Sequence, residues 1–292
     1  MQKLTYINAL GEKIEMYRGS RYILAHIDGT GSTSTKFASI SFVYTSGEYI
    51  TGARSLGREI TAKISIDGKD RRSMYRIRQE LCNILSVDKA FDKGEIKSKL
   101  IYENDYGKWW TYGAVENDIA FQSRIKDWQR DIKLIFRCPN SFWYDTRLKK
   151  SSIEFTDKGF RLPFKFKINF GRRSFETNVT VNGNLNTGAL ITIYAKGEQF
   201  TLLNSKTGNK IIFTKKIPEG AVLTINTDIS NLSARIRYVN GDEASAFGLI
   251  SPSTPISQFQ LVPGENVIKM LRNGEAGLSK IDIEWADKYV GV

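Results

Sequence analysis

Phe136-Arg137-Cys138-Pro139-Asn140-Ser141-Phe142-Trp143-Tyr144 decides how this chain reads: an alternating strand runs into a proline, and three adjacent aromatics follow. Proline has no N–H to give to a sheet ladder, so the strand ends there. Before this stretch lies a mixed region with one helical pattern. After it, short alternating runs separated by turn residues reach Val292 with no helical period. A chain of 292 residues is long for one core, since single cores stop growing near roughly 250 to 300 residues. Two domains are expected, 1–138 and 151–292, with a linker over 139–150.

Working back toward the start, Glu59 to Ile66 alternates strictly, with Ile60, Ala62, Ile64 and Ile66 on one side, and Thr35 to Tyr44 carries an earlier strand pattern. Asp67-Gly68 turns the chain into a helix with Ser73 as its expected cap, and Met74, Ile77, Leu81, Ile84 and Leu85 fall on one face. Ser32 to Thr35, preceded by Asp28-Gly29-Thr30-Gly31, reads as a flexible polar loop. Tyr102, Tyr106, Trp109, Trp110, Tyr112, Phe121 and Trp128 crowd the region of a hairpin and a further strand. One small core cannot take so many rings. Trp109, Trp110 and Tyr112 are therefore candidates for a subunit interface, with adjacent Trp109 and Trp110 pointing to opposite sides of their strand.

Working forward, strands at Ser174–Val181, Ala189–Tyr194, Ile211–Thr214 and Val222–Ile225 are punctuated by Asn182-Gly183, Lys196-Gly197 and Pro218-Glu219-Gly220. Turns this regular, closing on the alternating strand 279–285, indicate a β-sandwich. The fold class is mainly β with one helix.

The net charge of +12 is concentrated next to the junction, where residues 147–173 hold nine Lys and Arg against Glu154 and Asp157. In Phe160 to Phe170 the even positions are apolar and Arg161, Lys165 and Lys167 occupy the other face, with Pro163 favouring a sheet edge. This is a solvated basic face or an electrostatic contact with an acidic neighbour or with DNA. No nucleic-acid motif accompanies it, and no specific nucleic-acid binding is expected.

Catalytic chemistry has little to build on. His26 is the one histidine, which rules out a site made of several imidazoles. Asp28 to Lys36 lacks the second glycine of a phosphate loop, and Asp67-Gly68-Lys69-Asp70 lacks the distal glutamate of a calcium loop. No catalytic, cofactor or metal site is expected, nor an enzyme. Cys82 and Cys138 have no CxxC spacing and are expected as buried free thiols in a reducing cytoplasm. The opening residues lack a secretory h-region and no run spans a bilayer, so neither export nor membrane insertion is expected, and the sequons at Asn178 and Asn231 would go unused.

Taken in order, Phe136-Arg137-Cys138-Pro139 with Phe142-Trp143-Tyr144, Val181-Asn182-Gly183, Thr207-Gly208-Asn209-Lys210-Ile211 and Pro263-Gly264-Glu265-Asn266-Val267-Ile268 resemble the distal tail proteins of siphophages. Leu56 to Ile60 and the helix ending Glu80 to Ser86 are similar to the family as well. The resemblance implies a tail-tube-like N-terminal β-sandwich or split barrel plus helix, and a galectin-like C-terminal β-sandwich. It also implies a non-enzymatic hub at the virion tail tip, built as a hexameric ring or two stacked rings through residues 1–138. Such a ring joins the tail tube protein to a tail-associated lysin or tail fibre protein and to receptor-binding or baseplate proteins, and is assembled in the host bacterial cytoplasm. No cofactor is implied. Residues 139–292 hold no histidine, unlike a galectin sugar site. The alternative is a carbohydrate-binding or adhesion module, motivated by exposed aromatics on a β-sandwich.

Overall fold

The computed structural model describes residues 1–44, 46–121, 128–153, 175–195, 199–272 and 280–292. It divides into two compact units: Met1–Thr146 together with Tyr289–Val292, and Arg147–Lys288.

Unit one opens with β1 (Lys3–Ile7), β2 (Lys13–Tyr17) and β3 (Tyr22–Asp28). A hairpin follows, β4 (Thr35–Ile40) and β5 (Tyr49–Ser55), and then the long β6 (Arg58–Asp67) and α1 (Arg71–Ile84). The short pair β7 (Phe91–Asp92) and β8 (Glu95–Ile96) leads to β9 (Lys99–Glu103), β10 (Lys108–Tyr112), β11 (Ala114–Val115), β12 (Trp128–Cys138) and β13 (Trp143–Asp145).

One sheet collects most of these strands in the order β11-β12-β6-β3-β2-β1-β9-β10-β13 and ends on β24 (Lys288–Tyr289). Among the described residues none of the sheets closes. Strand parity sorts the residues: Leu4, Tyr6, Ile14, Met16, Leu100, Tyr102 and Trp109 share the core with Ile60, Ala62, Ile64 and Ile66. Met74, Ile77, Leu81, Ile84 and Leu85 of α1 and the residue after it enter the same core, as their spacing predicts.

The cap differs from expectation. Asp70 caps α1 by accepting from the Ser73 N–H at 2.7 Å, because the third helical position offers an orphan donor rather than a cap. Cys82 also differs, since it is exposed on the solvent side of α1, whereas Cys138 is buried. Burial pushes the Cys138 thiol up to about 12, with Arg58 acting weakly against it.

Unit two is a two-sheet sandwich. Its six-stranded sheet runs β14-β23-β16-β19-β20-β21, comprising β14 (Lys149–Ile153), β16 (Leu190–Tyr194), β19 (Val222–Asn226), β20 (Ser233–Arg237), β21 (Glu243–Ser245) and β23 (Lys280–Trp285). The other sheet, β15-β22-β17-β18, comprises β15 (Glu176–Val181), β17 (Phe200–Asn204), β18 (Lys210–Ile212) and β22 (Gly264–Arg272). Ile191, Ile193, Leu223, Ile225, Ile281 and Ile283 of the first meet Val179, Val181, Phe200, Leu202, Ile268 and Met270 of the second.

At the Asn182-Gly183 turn the glycine is required by proximity: a Cβ there would stand 2.4 Å from the Lys288 carbonyl oxygen. Lys288 is buried and its ammonium lies 2.9 Å from the Asp228 carboxylate. The stretch expected to be a linker is instead structured. Trp143 is wholly buried and Trp109 and Trp110 pair with Asp145 and Tyr144, so β13 is a strand of unit one.

Candidate assembly surfaces

Among the described residues β4 and β5 pair only with each other, and every residue in both strands is exposed. In register, Phe37 faces Ala53, Ile40 faces Tyr49 and Ser39 faces Ile50, with a bulge between Ala38 and Ser39 on one side of the ladder. The bulge shifts parity, so Phe37 and Ile50 lie on one face and Ile40 and Tyr49 on the other. Each face thus exposes large apolar side chains. Toward the tip, Phe42, Val43 and Tyr44 are 64%, 92% and 99% exposed. An isolated two-stranded hairpin is marginal in water, and a contiguous apolar patch beyond a few hundred Å² marks an interaction surface on a folded protein.

The base of this hairpin, next to the loop read as flexible, is held by hydrogen bonds. Arg58 is buried, and among the described residues no carboxylate pairs with it. Its Nη1 donates to the carbonyls of Gly29, at 2.5 Å, and Gly31; its Nη2 donates to those of Ser141, at 2.9 Å, and Val290, at 2.6 Å. The guanidinium lies 5.2 Å from the Trp143 ring, whose Nε1 donates to the Thr30 carbonyl at 3.1 Å. Burial lowers the Arg58 pKa, while the four carbonyls hold the charge. Gly29 has φ +85°, and a Cβ there would collide with the Glu59 carbonyl. The Leu56 N–H closes the base on the Ser34 carbonyl at 2.8 Å.

A second surface lies on the outer face of β9, β10 and β13. Trp110 stacks on Tyr144 with ring centroids 4.7 Å apart, and Tyr112 meets Trp110 edge-on at 5.0 Å. The Lys99 ammonium sits 4.8 Å from the Trp110 ring. Trp110 and Tyr112 are half-buried. Trp109 points the other way and is core, which removes it from the three interface candidates: its partners are Tyr106 at 6.1 Å and Tyr289 at 6.2 Å. Arg161, Lys165 and Lys167 lie outside the described residues. His26 is exposed on β3, its Nε2 2.8 Å from the Asp28 carboxylate.

Sequence reasoning missed the hairpin's apolar set. Its signal is present: Phe42-Val43-Tyr44 stands beside a turn that strands normally fill with polar residues. Among the described residues, no group of three or more His, Cys, Asp or Glu could hold a metal ion, and no helix is long and apolar enough to cross a membrane.

Comparison with known families and folds bears on these surfaces. Residues 10–138 match the phage tail protein RIFT-related domain, and residues 166–289 match the siphovirus-type tail component, C-terminal domain. The chain belongs to the siphovirus distal tail protein family. Within solved structures, it shares a fold with the Dit protein of phage SPP1, described as a paradigm of the hub adsorption apparatus in phages infecting Gram-positive bacteria. The identity is 14%, the TM-score 0.63, and the alignment covers 98% of each chain. A chain of the phage P2 baseplate, in its calcium-activated conformation, is similar at 11% identity and TM-score 0.53, covering 97% of this chain and 98% of the other. No curated protein sequence matches significantly. This distal tail protein is thus a structural component of the phage tail.

Proposed function

We propose that the protein is a ring-forming hub at the virion tail tip: unit one assembles six copies, in one ring or two stacked rings, and joins the tail tube to tail-associated lysin or fibre and receptor-binding or baseplate proteins. The observation that carries this is the hairpin β4–β5, whose two faces and tip expose large apolar side chains in the isolated chain. Burying them against neighbouring copies or the tail tube gives a strand pair without a core the cover it needs. Trp110 and Tyr112, already braced by Tyr144, offer a rigid aromatic surface for the same purpose. Arg161, Lys165 and Lys167 are proposed as a protein contact. Assembly takes place in the host cytoplasm before the tail is complete.

The ring-forming fragment differs from 1–138. Ending at Cys138 deletes β13 and with it Trp143, and omits Val290, whose carbonyl accepts from Arg58. A fragment joining 1–146 to 289–292 restores both. Mass photometry and negative-stain imaging of the full chain test the reading: particles of six or twelve 33.1 kDa subunits are expected, and the triple variant Phe42→Ser, Val43→Ser, Tyr44→Ser should stay monomeric with an unchanged melting temperature. A monomeric wild type at high concentration, or a triple variant that assembles normally, sinks it.

A further inference from the structure

β21 ends the six-stranded sheet of unit two, and among the described residues its outer side carries no neighbouring strand. The ladder fixes which groups face out. Tyr238 donates to Asp242, Ala246 donates to Ala234, and Ala244 pairs with Ile236, so alternate residues 242, 244 and 246 spend their backbone groups on β20. Glu243 and Ser245 therefore turn their N–H and C=O groups away from the sheet. Natural edges are commonly blunted by lysine, proline or a covering loop, and Glu243-Ala244-Ser245 has neither residue.

Beside this edge runs a groove of about 480 Å³ lined by Leu232, Ala234, Arg235, Ala244 and Phe247 among others. Leu232 and Phe247 also wall a second, mostly apolar hollow of about 390 Å³ with Ile250, Pro252, Pro255 and Ile256. Phe247 is 50% and Leu232 40% exposed, large apolar side chains left in water along the hollow they form. On the sheet's outer face Arg235 stands opposite Ser245 and Arg237 opposite Glu243. Neither arginine is in an ion pair among the described residues, so two guanidinium charges face one carboxylate at the edge.

We propose that the β21 edge captures an extended, acidic segment of a partner protein by strand addition. Free backbone donors and acceptors at alternate positions select a polypeptide over a sugar or lipid, because only a second backbone matches their spacing. The unpaired arginines select acidic side chains on the outer face, and the hollow between Phe247, Leu232 and Pro255 takes an apolar side chain on the other. Period-2 alternation of the captured segment follows from the pleat.

The test uses the full chain and a fluorescein-labelled decapeptide of alternating valine and glutamate, followed by anisotropy. Saturable binding in the micromolar range is expected. N-methylating alternate amides of the peptide, which blocks its hydrogen bonds and spares its side chains, should weaken binding at least tenfold. Replacing glutamate by lysine in the peptide should do the same for the wild type, and Arg235→Glu with Arg237→Glu should reverse that preference; Phe247→Ala should weaken binding of the acidic peptide. No binding, equal binding of the N-methylated peptide, or equal binding of the lysine peptide overturns the proposal. So does a fall in assembled mass on Phe247→Ala, which would assign the edge to a second copy of this chain.

Discussion

The hairpin β4–β5 and the sandwich of unit two use the same alternating code and come to opposite ends. In the sandwich, Ile191, Ile193, Leu223 and Ile225 disappear into a core that a second sheet closes. In the hairpin, Phe37, Ile40, Tyr49 and Ile50 are spaced just as well and stay in water. Alternation shows that a strand has an apolar face; it does not show whose atoms will cover it. A strand whose partner sheet belongs to the same chain is finished on folding, and one whose cover comes from another molecule remains exposed until assembly.

The largest effect that sharpens this contrast comes from a sandwich phenylalanine. Phe213 is fully buried and packs on Phe200 at 4.8 Å between centroids, so Phe213→Ala should cost about 3 to 5 kcal/mol in urea unfolding through lost transfer energy and the remaining cavity. A loss under about 1 kcal/mol would mean that the sandwich is not the closed core described.

Next in size is the ion pair Asp228–Lys288. Burial pushes the Asp228 carboxyl up, but Lys288 and the donors of Ser230 outweigh it and hold the carboxyl below its ordinary range. The folded protein therefore binds that proton less readily than the unfolded chain. The pair's contribution is present in full above the ordinary carboxylate value of about 3.9 and is lost as pH falls through the lower folded value. Asp228→Asn should cost about 2 kcal/mol or more at neutral pH by removing the carboxylate beside the buried Lys288 ammonium, and should flatten the wild type's acid-side decline in stability. Parallel stability-versus-pH curves for the two proteins would refute this.

The smallest effect on the folded monomer is expected in the hairpin itself. Phe42→Ala should change monomer stability by no more than about 0.5 kcal/mol, an order of magnitude below the sandwich phenylalanine, while sharply lowering the assembled fraction in sedimentation velocity. A large destabilisation would show that the hairpin folds back on its own unit.

Much of the fold was legible. Asn182-Gly183 and Pro218-Glu219-Gly220 punctuate the second half because the chain must turn there to pass from one sheet of the sandwich to the other, and α1 shows its buried stripe directly. The first three strands were not. In β1 the run Leu4-Thr5-Tyr6 is buried on both faces, which erases the alternation, and β3 is broken by a register shift between Leu24 and His26. Phe142-Trp143-Tyr144 was visible as a junction, yet its membership in unit one depends on pairing with β10, a long-range contact invisible locally. Of the candidate interface residues, parity separates Trp109 from Trp110, but only the structure tells which side is the core.

The return of residues 289–292 to unit one also sets an order in time. Translation delivers residues 1–146 first, but Val290 and the Val292 N–H, which donates to the Thr30 carbonyl at 3.1 Å, emerge only after all of unit two. Unit two is continuous along the chain and can close on itself while the earlier-made unit is still waiting for its final pieces. The Arg58 clasp at the root of the hairpin therefore closes only after unit two has been made, so a nascent chain that stops short of Val290 cannot present a finished hairpin base to its neighbours.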